Sequence, residues 1–234
     1  MDEATTDEDR TPTSGTVHPR PSTPVQAWAE LSRGNARFAA DRAERPNTGA
    51  EQRRLVSRGQ RPFAVVLGCS DSRVAAELVF DRGLGDLFVV RTAGHVLDSA
   101  VLGSVEFATE ALDVPLLVVL GHDTCGAVVA ALQARREGRV PGGFLRDIVE
   151  RVTTSVLAAE HRGAASVDDI VREHVRSTAM QLLERSEAIR AAVTSGRLGV
   201  VGAYYSLADG RVEPVWSQGA EDVVAPVGQT GPHD

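Results

Sequence analysis

Lysine is absent from the 234 residues, so all 25 basic side chains are arginines. They are scattered along the chain and form no basic block of the kind that binds nucleic acid. Two cysteines permit one disulfide at most, which excludes a stapled secreted scaffold and leaves two thiols free for chemistry. Aromatic residues are only 4% of the chain, and no apolar run approaches the roughly 20 residues needed to span a bilayer. Met1-Asp2-Glu3-Ala4 lacks the basic end and apolar stretch of a secretion signal, so a cytoplasmic location is expected, with neither nucleic acid nor membrane as a partner. The net charge of −7 is concentrated at the ends: residues 1–24 and 217–234 each carry −3, leaving −1 for the body.

Residues 1–24 combine five acids with Pro12, Pro19, Pro21 and Pro24, and offer no Leu, Ile or Phe to a core. A disordered N-terminal tail is expected there. A domain over 25–216 follows, and the glycine-rich stretch 217–234 reads as a flexible C-terminal tail. Val25, Trp28, Ala29, Leu31 and Phe38 fall roughly on one face of a helix reaching about Asp41, with Trp28 and Phe38 in packing roles. Three short apolar runs then recur at strand–helix spacing: Phe63–Gly68, Leu87–Val90 and Leu116–Leu120. Continuous rather than alternating apolarity suits strands covered on both faces. Helices are expected over about Val74–Phe80, Ser99–Leu112, Gly126–Arg136, Phe144–Glu160 and Val167–Val193. Strands Leu198–Ser206 and Arg211–Val215 flank the turn pair Asp209-Gly210. The fold class is α/β: a mainly parallel sheet with an antiparallel edge strand, flanked by helices.

Cys69 follows the first strand in Gly68-Cys69-Ser70-Asp71-Ser72-Arg73, and Cys125 follows the third in Gly121-His122-Asp123-Thr124-Cys125-Gly126. Strand carboxyl ends in a parallel sheet converge on the crevice that holds ligands. The two thiols are therefore expected to meet, with His122 beside them. Zn²⁺ suits a Cys, Cys, His set, and three protein ligands with one open position is the pattern of catalytic zinc. Asp71 or water would take the fourth position. Cys125 also opens a helix, whose N-terminal dipole favours a thiolate. A structural zinc or redox pair in a binding protein is the alternative from another class.

Cys69-Ser70-Asp71-Ser72-Arg73, Arg91-Thr92-Ala93-Gly94 and Gly121-His122-Asp123-Thr124-Cys125-Gly126 together closely resemble the β-class carbonic anhydrases, in particular those of actinobacteria, over about Val25–Val215. The resemblance implies reversible hydration of CO₂ to bicarbonate and a proton, by attack of zinc-bound hydroxide on CO₂. It implies zinc on Cys69, His122 and Cys125, and a homodimer or homotetramer with the site near the subunit interface. Asp71 held by Arg73 would orient the nucleophile, and on release would ligate zinc and exclude water. Phe88, Ala93 and Phe107 align with positions lining the CO₂ pocket. Thr48 stands where many relatives carry glutamine, and Phe107 where many carry tyrosine. Trp28 and the first helix would grip a partner subunit, as in similar proteins.

Two thiolates cancel the charge of the ion, so bound water should be less acidic than on a three-histidine site, and activity should rise on the alkaline side of neutrality. A relative hydrolysing carbonyl sulfide on the same scaffold is the alternative enzyme. His95 reads as a partly exposed histidine with no role in proton relay, its pKa range alone recommending it for one. His18, His161, His174 and His233 receive no function.

Overall fold

The computed structural model describes residues 20–164 and 166–223. Most of the two expected tails, with His18 and His233, lies outside the described residues. In chain order the elements are α1 (Pro24–Ala39), α2 (Ala50–Val56), β1 (Ala64–Cys69), α3 (Ala76–Val79), β2 (Leu87–Thr92), α4 (Ser99–Glu110), β3 (Leu116–His122), α5 (Gly126–Glu137), α6 (Leu145–His161), α7 (Val167–Arg185), α8 (Glu187–Thr194), β4 (Gly199–Tyr205) and β5 (Val212–Gln218). A single 3₁₀ turn, Ala93–His95, links β2 to α4, and another covers Glu221–Val223. The five strands lie in the order β2-β1-β3-β4-β5, parallel except for β5, which returns antiparallel along β4.

Every residue of β1, β3 and β4 is buried, as continuous apolar runs demand. Alternation then divides each strand between two cores. Val65, Leu67, Leu117 and Val119 face α4, α7 and α8, whereas Ala64, Val66, Leu116, Val118 and Leu120 face α1 and Phe80. Each fully buried Val or Leu contributes about 1.5–3 kcal/mol. A third apolar group, including Val128, Val149, Val152 and Val171, closes α5, α6 and α7 around Cys69 and Cys125. Trp28 is buried within its own chain, beside Leu31 and Phe63 in the α1-side core. Asn35 fastens α1 to the final hairpin: its amide donates to the carbonyls of Val79 at 3.0 Å and Gly210 at 2.8 Å and accepts from Val212 N–H at 2.8 Å.

Four elements depart from expectation. The helix expected over Val74–Phe80 shrinks to Ala76–Val79, because Val74 N–H closes a turn onto the Asp71 carbonyl and Ala75 is extended. The single helix expected over Val167–Val193 breaks at Ser186, whose hydroxyl caps Ile189 N–H and donates to Glu106 at 2.6 Å. The α2 helix has no buried residue and hence no apolar face to reveal it. The last strand, expected over Arg211–Val215, runs over Val212–Gln218. No helix among the described residues is long and apolar enough to cross a membrane.

Candidate metal centre

β1 and β3 are parallel neighbours, so their last residues, Cys69 and His122, emerge at the same edge of the sheet. The chain then turns through Thr124, which holds φ at 52°, uncommon for a β-branched residue, and delivers Cys125 to the start of α5. Both cysteines are free and buried. The two sulfurs and one imidazole nitrogen lie within 4.8 Å of one another.

The histidine is already set for a metal. His122 Nδ1 hydrogen-bonds the Asp123 carbonyl at 2.8 Å. A carbonyl only accepts, so Nδ1 carries the hydrogen and Nε2 presents its lone pair. That Nε2 is buried without a hydrogen-bond partner. Buried polar atoms are rarely left so, and an ion on Nε2 accounts for this one. The donor set of two sulfurs and one nitrogen fits Zn²⁺.

Without an ion the two sulfurs share a proton, and electrostatics favour the thiolate at Cys69 alone. The Cys69 thiol is held well below its usual range, first by the hydrogen bond from Cys125, with His122 and the Gly94 N–H adding to it. Cys125 is pushed up by that same bond and by burial, while the N–H groups of Val128 and Ala127 at the start of α5 pull it back down. Burial presses His122 down most strongly, but Cys69, the Asp123 carbonyl and the Asp71 charge together outweigh it and the net shift is upward. A dication in place of the shared protons would leave both sulfurs as thiolates.

Asp71 and Arg73 form a forked pair beside this cluster. Arg73 donates from Nε to Oδ1 at 2.9 Å and from Nη2 to Oδ2 at 2.7 Å, and its backbone N–H adds a third bond at 2.9 Å. These bonds, the guanidinium's above all, hold the Asp71 carboxyl far below the usual carboxylate range. Oδ2 stands 3.8 Å from His122 Nε2. The loop carrying Asp71 is itself clamped: Arg91 donates to the carbonyls of Cys69 at 2.9 Å and Asp71 at 2.6 Å. Arg91 lies inside a motif quoted from the sequence, yet nothing in its spacing signals this clamp across 20 residues.

The remaining candidates fall elsewhere. Ala93 sits in the 3₁₀ turn next to Gly94, whose N–H reaches Cys69 Sγ at 3.3 Å. Phe88 precedes Thr92, the residue level with Cys69, by four positions on β2, about 13 Å along the strand. Its ring lies 6.1 Å from that of Phe107 on α4, and Phe107 is 51% exposed. Within one chain, therefore, the two phenylalanines are not gathered around Cys69. Thr48 spends its hydroxyl on the Arg45 carbonyl. His95 is not partly exposed as expected: it is buried, stacked on His174 with centroids 4.4 Å apart.

The sequence model of the family described as carbonic anhydrase matches residues 64–212, which contain the whole cluster. The chain belongs to the β-carbonic anhydrase family. It is 57% identical over 192 residues to a carbonic anhydrase of Mycolicibacterium smegmatis, covering 82% of this chain and 93% of that one. It is 54% identical over 188 residues to carbonic anhydrase 2 of Mycobacterium tuberculosis, covering 80% and 91%. Among solved structures, one of two tetrameric β-carbonic anhydrases from the ascomycete Sordaria macrospora superposes with a TM-score of 0.65 at 26% identity, covering 82% of this chain and 98% of that one. β-Carbonic anhydrases are zinc lyases, so the protein is an enzyme of the carbonate dehydratase class.

Proposed function

We propose that this protein catalyses the reversible hydration of CO₂ to bicarbonate and a proton on a zinc held by Cys69, His122 and Cys125, with Asp71 and Arg73 as its orienting and switching pair. The observation that carries this reading is the buried, partnerless Nε2 of His122 facing two sulfurs, beside a carboxylate locked by an arginine. Zinc, when bound there, supplies a Lewis acid that makes water nucleophilic near neutral pH.

The protein's own residues do the rest. Cys69 and Cys125 offset the charge of the ion, which places the working range on the alkaline side of neutrality. Asp71, kept ionised by Arg73, accepts a hydrogen bond from the attacking water and turns its lone pair toward CO₂. Released from Arg73, the same carboxylate is free to take the open position and shut the site. CO₂ is uncharged and needs apolar walls, a role for Ala93, Phe88 and Phe107.

The phenylalanines flank an edge: β2 is a sheet margin with most of its residues only half-buried, and Phe107 is exposed beside it. A second copy of the chain packed along that margin would complete the pocket, in keeping with the tetrameric relatives. A homodimer or homotetramer follows, working in the cytoplasm, where a reducing environment preserves two free thiols.

Purified protein should carry zinc near one per chain and hydrate CO₂ with activity rising above neutrality. Carbonyl sulfide, assayed on the same material, separates the alternative enzyme: turnover of it far above CO₂ hydration would overturn the proposal. So would zinc-free protein with a Cys69–Cys125 disulfide.

A further inference from the structure

A residue that spacing left without a role sits one turn of chain away from the proposed metal. His174 on α7 is buried, and both of its ring nitrogens are engaged. Nε2 lies 2.8 Å from the Gly94 carbonyl, and Nδ1 lies 2.8 Å from Ser155 Oγ on α6. The carbonyl can only accept, so Nε2 bears the hydrogen. Full burial keeps the ring neutral, Nδ1 is then an acceptor, and Ser155 donates to it. The tautomer is thus fixed from the far side.

What His174 grips is an awkward piece of backbone. Gly94 has φ 63° and ψ 25°, and His95 after it has φ 41°, so two successive residues are left-handed. A side chain at Gly94 would bring its Cβ to 2.7 Å from that of Ala127. Stacking of His95 on His174 and a 3.3 Å contact from Thr178 Oγ1 to His95 Nδ1 hold the second residue. The outcome of this turn is the direction of one N–H: Gly94 N–H points at Cys69 Sγ, 3.3 Å away. The carbonyl that His174 holds and the N–H that meets sulfur belong to different peptide units. The effect is therefore conformational: anchoring the carbonyl restrains φ and ψ of Gly94 together, and through φ the peptide that carries the donor, with no relay of charge.

We propose that His174, locked by Ser155, is a positioning residue that holds the Gly94 N–H on the Cys69 sulfur and so governs how strongly that thiolate binds the metal. The inference rests on the zinc reading above. Groups that hydrogen-bond a metal's ligands orient them in this way, and their loss typically weakens metal binding by about 10- to 100-fold.

The test compares His174→Phe, which keeps an aromatic ring to stack on His95 but has no donor, with His174→Gln, whose amide restores a donor toward the Gly94 carbonyl. Full-length protein is loaded with zinc, and release to a colorimetric chelator is timed; cobalt-loaded protein reports the sulfur-to-metal charge-transfer band. His174→Phe should release zinc about 10- to 100-fold faster and move the cobalt band, and His174→Gln should recover most of both. Ser155→Ala, the milder change, should shift both readouts in the same direction and serves where His174→Phe does not melt cooperatively. Parental rates and spectra in a folded His174→Phe or Ser155→Ala variant would overturn the inference, as would His174→Gln being as impaired as His174→Phe. A parent that takes up neither metal would sink the zinc reading as well; a metal-loaded parent with unaffected variants sinks this inference alone.

Discussion

Replacing Asp71 by asparagine separates catalysis from construction. The carboxylate accepts three hydrogen bonds from Arg73 and places Oδ2 3.8 Å from His122 Nε2. Asparagine keeps one acceptor oxygen but turns an NH₂ toward one of the guanidinium donors, so the forked pair is reduced to a single prong. The amide is also neutral and a far poorer acceptor for the attacking water. If Asp71 orients and deprotonates, kcat should fall by about 10²–10⁴, equivalent to about 3–5 kcal/mol of barrier. Folding should hardly notice. The Arg73 side chain is 54% exposed and the pair sits at the mouth of the site, so the melting temperature should stay within about 3 °C of the parent. The ligating atoms are untouched, so zinc content should remain near one per chain. Stopped-flow CO₂ hydration with an indicator, metal analysis and a thermal melt on one preparation test all three. A zinc-replete variant with kcat within threefold of the parent would remove Asp71 from the mechanism. Loss of zinc with loss of turnover would make Asp71 a structural support of the cluster instead.

Cys69→Ser should lose metal and activity together while remaining folded, because the hydroxyl is close in size to the thiol it replaces within the third apolar group and can accept from the Gly94 N–H; metal analysis with circular dichroism checks this, and retained stoichiometric zinc would refute it. Asp81 supplies a pH prediction remote from the site. Burial alone would raise its carboxyl, but Arg37 at 2.6 Å and the backbone N–H groups of Glu44 and Arg45 more than offset that, and its net shift is downward. Its contribution is therefore full above the ordinary carboxyl pKa of about 3.9 and fades as pH falls through the depressed folded value. Asp81→Asn should cost about 1.5–3 kcal/mol at pH 7, and the gap in urea stability from the parent should narrow below about pH 4; a gap independent of pH would contradict this linkage.

Local pattern was enough to place the sheet. Runs such as Leu116–Leu120 are apolar at every position and too short for a buried helix, which suits a strand covered on both faces. Donor chemistry was equally legible, since Cys69, His122 and Cys125 lie at strand ends and the topology of a parallel sheet brings strand ends together. Elements without a periodic signature were not. α2 is seven residues long and buries none of them, and the break at Ser186 depends on Glu106, 80 residues away, accepting its hydroxyl.

Histidine shows the division most clearly. His122 announces itself by lying three residues from a cysteine, but His95 and His174 carry no such mark and read as ordinary polar residues of a turn and a helix. Only the packing of α6 and α7 against the 3₁₀ turn buries them together, fixes a tautomer through Ser155 and directs the Gly94 N–H at sulfur. Phe88 and Phe107 differ again, because one chain leaves them together at a sheet margin with Phe107 exposed. The amino-acid order determined which segments are strands and helices and which atoms can bind a metal, since both follow from near neighbours and from the side chains themselves. Tertiary structure decided which buried groups stand behind those atoms, because contacts between residues far apart in the chain arise only when the whole core closes.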